Sequence, residues 1–177
     1  MAKTPRRVRT AGYLIWHLST KWRVAVDRSL KQFGLTHADY LVLDSLREFS
    51  RSGAKPSQRE LADFAGLEVM FVSKLVRPLE QSGLLRRADH PADPRAFELE
   101  LTARGADLVG QAAAVMRELF DELLLPIGGR SGKRHAALVR TINVLLDEAE
   151  AFNRAKGTKA PAASRRTPDN RRGRSRR

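Results

Sequence analysis

In a chain of 177 residues, 42% hydrophobic and 30% charged, no run of about 18 apolar residues could span a bilayer. The absence of cysteine excludes a disulfide, a thiolate nucleophile, a thiol redox switch and a cysteine-ligated zinc. The net charge of +13 sits at the ends: Lys3, Arg6, Arg7 and Arg9 fall in 1–10, ten Lys or Arg against Asp169 alone fall in 154–177, and 11–153 balances nineteen bases with nineteen acids.

A neutral middle means that nucleic-acid binding must be argued from pattern rather than from pI. The basic N-terminus leads into a segment interrupted by His17, Lys21 and Arg23 with no small-residue cleavage site, so the expectation is a cytoplasmic chain. From 11 to 33, Ile15, Leu18, Trp22, Val26, Leu30 and Phe33 recur every three or four residues, which predicts a helix stopped by Gly34. Thr36 with Asp39 three residues on reads as a capping box opening a second helix over 37–49, with Tyr40, Leu43, Leu46 and Phe49 on its dry side. Ser57 and Glu60 repeat that signature for a short helix through Phe64, which Gly66 ends. A fourth helix over 68–81 turns Val72, Leu75, Val76 and Leu79 inward, so 57–81 is a helix-turn-helix candidate. Residues 84–87 and 97–101 read as two short strands, joined by a connector at 88–96 that holds Pro91, Asp93 and Pro94. Together they predict a β-hairpin wing. Thr102 caps a long helix over 103–125 ended by Pro126, Gly128 and Gly129, and a last helix over 131–152 carries Leu138, Ile142, Leu145, Ala149 and Phe152 on one seam. From 154 on, the composition leaves little to bury and predicts a disordered tail. Periodicity alone leaves two packings open for the first and last helices: an intramolecular core, or pairing with a second copy.

Several strings follow one another along the chain: Gly34-Leu35-Thr36, Ser57-Gln58-Arg59-Glu60-Leu61-Ala62 and Ser73-Lys74-Leu75-Val76-Arg77-Pro78-Leu79-Glu80. Most specific are Gly83-Leu84-Leu85-Arg86-Arg87, Asp93-Pro94-Arg95 and Leu101-Thr102-Ala103-Arg104-Gly105. In this order they resemble the MarR family, and the similarity spans about 11–152. It implies a mainly α, winged helix-turn-helix fold with a small β-hairpin wing, organised as a lobe at 35–102 and dimerisation helices at 11–34 and 103–152. The basic arm at 1–10 and the tail at 154–177 lie outside it. It further implies a homodimer joined through the terminal helices on a pseudo-palindromic operator and, in many members, a small-molecule pocket.

By the same resemblance the fourth helix is the recognition helix. Val69, Met70, Ser73, Lys74 and Arg77 would meet double-stranded DNA in the major groove, and Ser57 and Gln58 are counted with them. Arg95 would reach a minor groove, with Asp93 orienting a neighbouring guanidinium. Arg86 and Arg87 would contact phosphate and brace the wing, strand alternation letting only one face the DNA. Pro78 departs from the family pattern and should bend the last turn of its helix. The basic tail is a second departure, read as an arm adding phosphate contacts.

Trp16, His17, Trp22 and Tyr40 could line an effector pocket or belong to plain core. The four histidines are scattered at spacings unsuited to a compact metal site, and no glycine-rich phosphate loop or Gly-x-Ser-x-Gly elbow occurs. The expectation is a non-enzymatic regulator without metal or cofactor, a ligand-responsive repressor of transcription. The competing reading is an architectural protein that binds DNA through its basic arms with little sequence preference, and a third is a protein-interaction module with an inactive wing lobe.

Overall fold

The computed structural model describes residues 10–90 and 93–157. The chain divides into two compact units that part between Leu125 and Pro126.

In the first unit, helix α1 (Ala11–Leu30) starts where the Thr10 hydroxyl accepts from Tyr13 N at 3.3 Å. It tightens into a 3-10 turn (Lys31–Phe33) and stops at Gly34, whose φ of 67° is open to a residue without Cβ. Both capping boxes form. Thr36 and Asp39 exchange bonds at the start of α2 (His37–Arg51), and Ser57 and Glu60 do so at the start of α3 (Gln58–Ala65). Each box satisfies two backbone donors that a helix start leaves free. Gly66, also left-handed, turns the chain into α4 (Val69–Gln81), completing the helix-turn-helix.

The wing is an antiparallel pair, β1 (Leu85–His90) and β2 (Asp93–Leu101), registered Leu85 to Leu101 and Arg87 to Leu99, with an irregularity between Asp89 and His90. Both strands are longer than the sequence patterning suggests, because backbone pairing continues into the segment expected to be connector. Pro94 is tolerated there since each strand of a two-stranded sheet keeps one open edge. Leu85 and Leu99, each 1% exposed, seat the wing in the core. That core also holds Val26 and Leu30 from α1, Leu43 and Leu46 from α2, Leu61 from α3, Val72, Val76 and Leu79 from α4, and Val109 and Met116 from helix α5 (Ala103–Leu124).

A tight joint ties α5 to the end of α4. Thr102 Oγ1 donates to Gly83 O at 2.7 Å while accepting from Gly105 N, Thr102 N donates to Leu84 O at 3.2 Å, and Arg104 reaches Ser82 O at 3.1 Å. Gly105 is required at this point, because a Cβ would stand 1.8 Å from Leu84 O.

The second unit is dominated by α6 (Lys133–Gly157). Its end corrects the expected boundary at 153: the helix runs four residues further, since Arg, Ala and Lys are good helix formers and Arg154 pairs with Glu150 one turn back. The remainder of the tail expected to be disordered, and the arm at 1–9, lie outside the described residues. Among those described, no helix is long and apolar enough to cross a membrane.

Candidate nucleic-acid interface

Helix α4 sorts its residues by periodicity. Val72, Val76 and Leu79 are buried, so the residue one turn before Val72 points the same way, and Val69 packs against the core. This corrects the expectation that Val69 faces outward. Met70, Lys74 and Arg77 form the exposed stripe, with Ser73 half-buried beside them. Pro78 sits inside a helix that continues to Gln81. It lies on the exposed face, where a carbonyl deprived of its N–H can turn to water.

The wing arginines divide their tasks. Arg87 Nε donates to Glu80 Oε2 at 2.8 Å, and its guanidinium lies 5.3 Å from the Phe97 ring centroid. That bond holds the Glu80 carboxyl below its ordinary value against desolvation, with the charge of Arg87 assisting. Arg87 is therefore a brace between β1 and α4, and its charge is committed inside the protein. Arg86, one residue earlier, leaves the other face of the strand: its side chain is 68% exposed and pairs across the hairpin with Glu100. Glu100 also receives Lys55 at 3.0 Å. The bond from Lys55 holds the Glu100 carboxyl low against desolvation, with the charge of Arg86 assisting. Of the two wing arginines, Arg86 is the one left exposed, and the Glu100 carboxylate offsets one of the two positive charges that Arg86 and Lys55 bring to it. The side chains of Asp93 and Arg95 lie outside the described residues.

Ser57 and Gln58 hold the base of this surface. The Ser57 hydroxyl is engaged as a cap, accepting from Glu60 N at 3.3 Å, and the Ser57 backbone bridges to Glu98 of β2. Pro56 O accepts from Leu99 N at 2.8 Å. These contacts orient the wing against the start of α3, while Gln58 is half-buried.

The four residues grouped as a possible effector site lie in different surroundings. Trp16, 61% exposed, tilts against His17 at 6.3 Å, His17 stacks on Tyr13 at 5.6 Å, Trp22 stacks on Phe120 of α5 at 5.2 Å, and Tyr40 is buried. Burial pushes the Tyr40 hydroxyl up to about 12, with the Asp44 charge adding to it. A cleft lies elsewhere in the first unit, between α1, α2 and α4. Its volume is about 480 Å³, and Arg23, Val24, Asp27, His37, Leu41 and Phe71 are among its walls. Asp27 Oδ1 accepts from His37 N at 2.7 Å, joining α1 to the first residue of α2. Desolvation lowers the His37 pKa, with Asp27 opposing and Arg23 assisting. Sequence reasoning missed this cleft because its walls mix charged and apolar residues from segments as far apart as Arg23 and Phe71, with no local motif. Among the described residues, no three His, Cys, Asp or Glu side chains gather closely enough to hold a metal ion.

A family model described as the MarR family matches residues 35–97, which covers α2 to the wing. A relative from Bacillus subtilis (strain 168), the uncharacterised HTH-type transcriptional regulator YdcH, is 32% identical over 108 residues, 61% of this chain and 74% of its own. Among solved structures, the M. tuberculosis transcriptional regulator MosR in complex with DNA is 25% identical with a TM-score of 0.68, over 81% of this chain and 98% of that one. The S. aureus MepR–DNA complex, 23% identical, has a TM-score of 0.72 over 80% of this chain and 99% of that one, and shares the fold.

Proposed function

The chain belongs to the MarR family of transcriptional regulators, and from that premise we propose that it occupies a pseudo-palindromic DNA operator as a homodimer and represses transcription until a small molecule releases it. In this role it is a DNA-binding protein of the cytoplasm and not an enzyme. The observation that carries the reading is the exposed stripe Met70, Lys74 and Arg77, with Ser73 half-buried beside it, on the second helix of a helix-turn-helix. The wing beside it is locked to the same helix through Arg87 and Glu80. A stripe so placed can enter a major groove while the wing strand brings Arg86 to the backbone. That MosR and MepR, which share this fold, were solved with DNA supports the assignment.

Dimerisation is supported by apolar surface left exposed on the single chain. Leu14, Ile15 and Leu18 on α1 and Leu138, Ile142 and Leu145 on α6 are all at least 39% exposed, at a spacing suited to helix pairing. Lobes at 35–102 carried by helices at 11–34 and 103–152, with the basic ends as auxiliary arms, are the domain organisation this reading entails. For the effector, the cleft between α1, α2 and α4 replaces the aromatic set. Its volume suits a small ligand, and it touches Phe71, next to the outward stripe. A ligand that binds best when α4 is tilted away would shift the population to a form that no longer fits the groove.

Selection of sites from random duplex DNA in about 150 mM salt, with the full chain and with a form ending at Gly157, tests the function. Enrichment of one inverted repeat by both forms is expected. Failure of both to enrich any site, with binding lost on truncation, would install the architectural alternative, in which the basic arms bind without reading sequence.

A further inference from the structure

Among the described residues Met70 is the most exposed of the large apolar side chains, at 73%, and it stands in the first turn of α4, with Lys74 and Arg77 following one and two turns later on the same face. Its neighbour Phe71 lines the cleft, whereas Met70 does not and contributes nothing visible to the core. The first turn of a groove-entering helix is the part that reaches base edges, and there the flanking cations bring the helix to the phosphates. The one apolar group that B-DNA shows in its major groove is the thymine C5-methyl. A thioether on an unbranched, three-torsion stem can lie against that methyl without demanding one geometry. We infer that Met70 is a specificity-determining residue that selects thymine in each operator half-site by packing on its C5-methyl group. The inference rests on the reading of α4 as the recognition helix and adds the base chemistry that the helix selects.

The test uses the full chain and the inverted repeat obtained by site selection, with each thymine replaced in turn by uracil, which removes the methyl and leaves base pairing intact. Binding of the wild type should weaken about fourfold per methyl lost at one thymine in each half-site, the effect of exposing one methyl-sized group. Met70→Leu, which keeps an apolar contact, should show the same uracil penalty. Met70→Ala should bind the thymine site more weakly and be indifferent to uracil. Because Met70 is exposed, neither variant should unfold. If no thymine carries a penalty, or if the penalty survives in Met70→Ala, while Lys74→Ala and Arg77→Ala still weaken binding and lower its salt dependence, the methyl contact is overturned and the recognition helix stands. If Lys74→Ala and Arg77→Ala leave both affinity and salt dependence unchanged, the assignment of α4 falls, and the methyl contact with it.

Discussion

Two glycines on α5 offer the same chemical change in opposite surroundings. At Gly105 a Cβ would lie 1.8 Å from Leu84 O and 2.8 Å from Leu84 C, so α5 must move by more than 1 Å before contact becomes tolerable. Overpacking of this kind costs about 1–3 kcal/mol. The shift also loosens the bonds from Thr102 to Gly83 O and Leu84 O, at about 1 kcal/mol each. Alanine returns about 1 kcal/mol of helix propensity. Gly105→Ala should therefore destabilise the protein by about 2–4 kcal/mol, a drop of about 1–2 M in urea midpoint for an m-value near 2 kcal/mol/M. At Gly110 a Cβ would meet nothing within 4 Å, and Gly110→Ala should stabilise by about 0.5–1 kcal/mol. Urea unfolding at one fixed protein concentration, since association would shift the midpoint, reads both. Variants that move in the same direction, or a Gly105→Ala within about 0.5 kcal/mol of wild type, would refute the account of the joint.

Because the Tyr40 hydroxyl is pushed up to about 12 by burial, above its ordinary value of about 10, the folded state keeps a proton that the unfolded state has released. Its contribution is complete below about pH 10 and is lost as pH rises toward 12. Tyr40→Phe should flatten the fall of stability across that window, and a Tyr13→Phe variant, leaving Tyr40 as the sole tyrosine, should show a phenolate transition near 12 that drops to about 10 in urea. The Glu80 carboxyl is held low by Arg87, so its contribution is present above pH 4.5 and disappears as pH falls through the lowered value. Glu80→Gln should cost up to about 1 kcal/mol at neutral pH and make urea midpoints less sensitive to acid, which an acid-range denaturation series checks. Ile142→Asp on the exposed seam of α6 should convert the dimer to a folded monomer, read by sedimentation velocity with circular dichroism unchanged. A dimer that persists would remove α6 from the interface.

Much of the fold is legible because its signals are local. Thr36 with Asp39 and Ser57 with Glu60 mark helix starts through bonds spanning three residues, and Gly34 and Gly66 mark stops through their own φ. The sorting of α4 into an inner and an outer face is legible for the same reason, apart from Val69 at its first position. There a helix start can be assigned to either face, and only the neighbouring buried Val72 decides. The strand ends at His90 and Asp93 were not legible, because pairing there depends on the partner strand rather than on side-chain alternation.

The candidate site divides along the same line. That Lys74 and Arg77 share an exposed helix face follows from 3.6-residue periodicity alone, and the neutrality of 11–153 from counting. That Arg87 braces the wing while Arg86 is left outside could not be read from two adjacent arginines, since the difference is made by Glu80, seven residues before Arg87, and by Glu100 across the hairpin. The requirement for glycine at 105 exists only because the Leu84 carbonyl comes to rest against it. The cleft likewise exists only where Arg23, His37 and Phe71 converge. Sequence determines what each short segment does with its own backbone and which face it shows. Tertiary structure decides which charges neutralise one another and where space is left, because both depend on pairs of residues that chain-local physics never brings together.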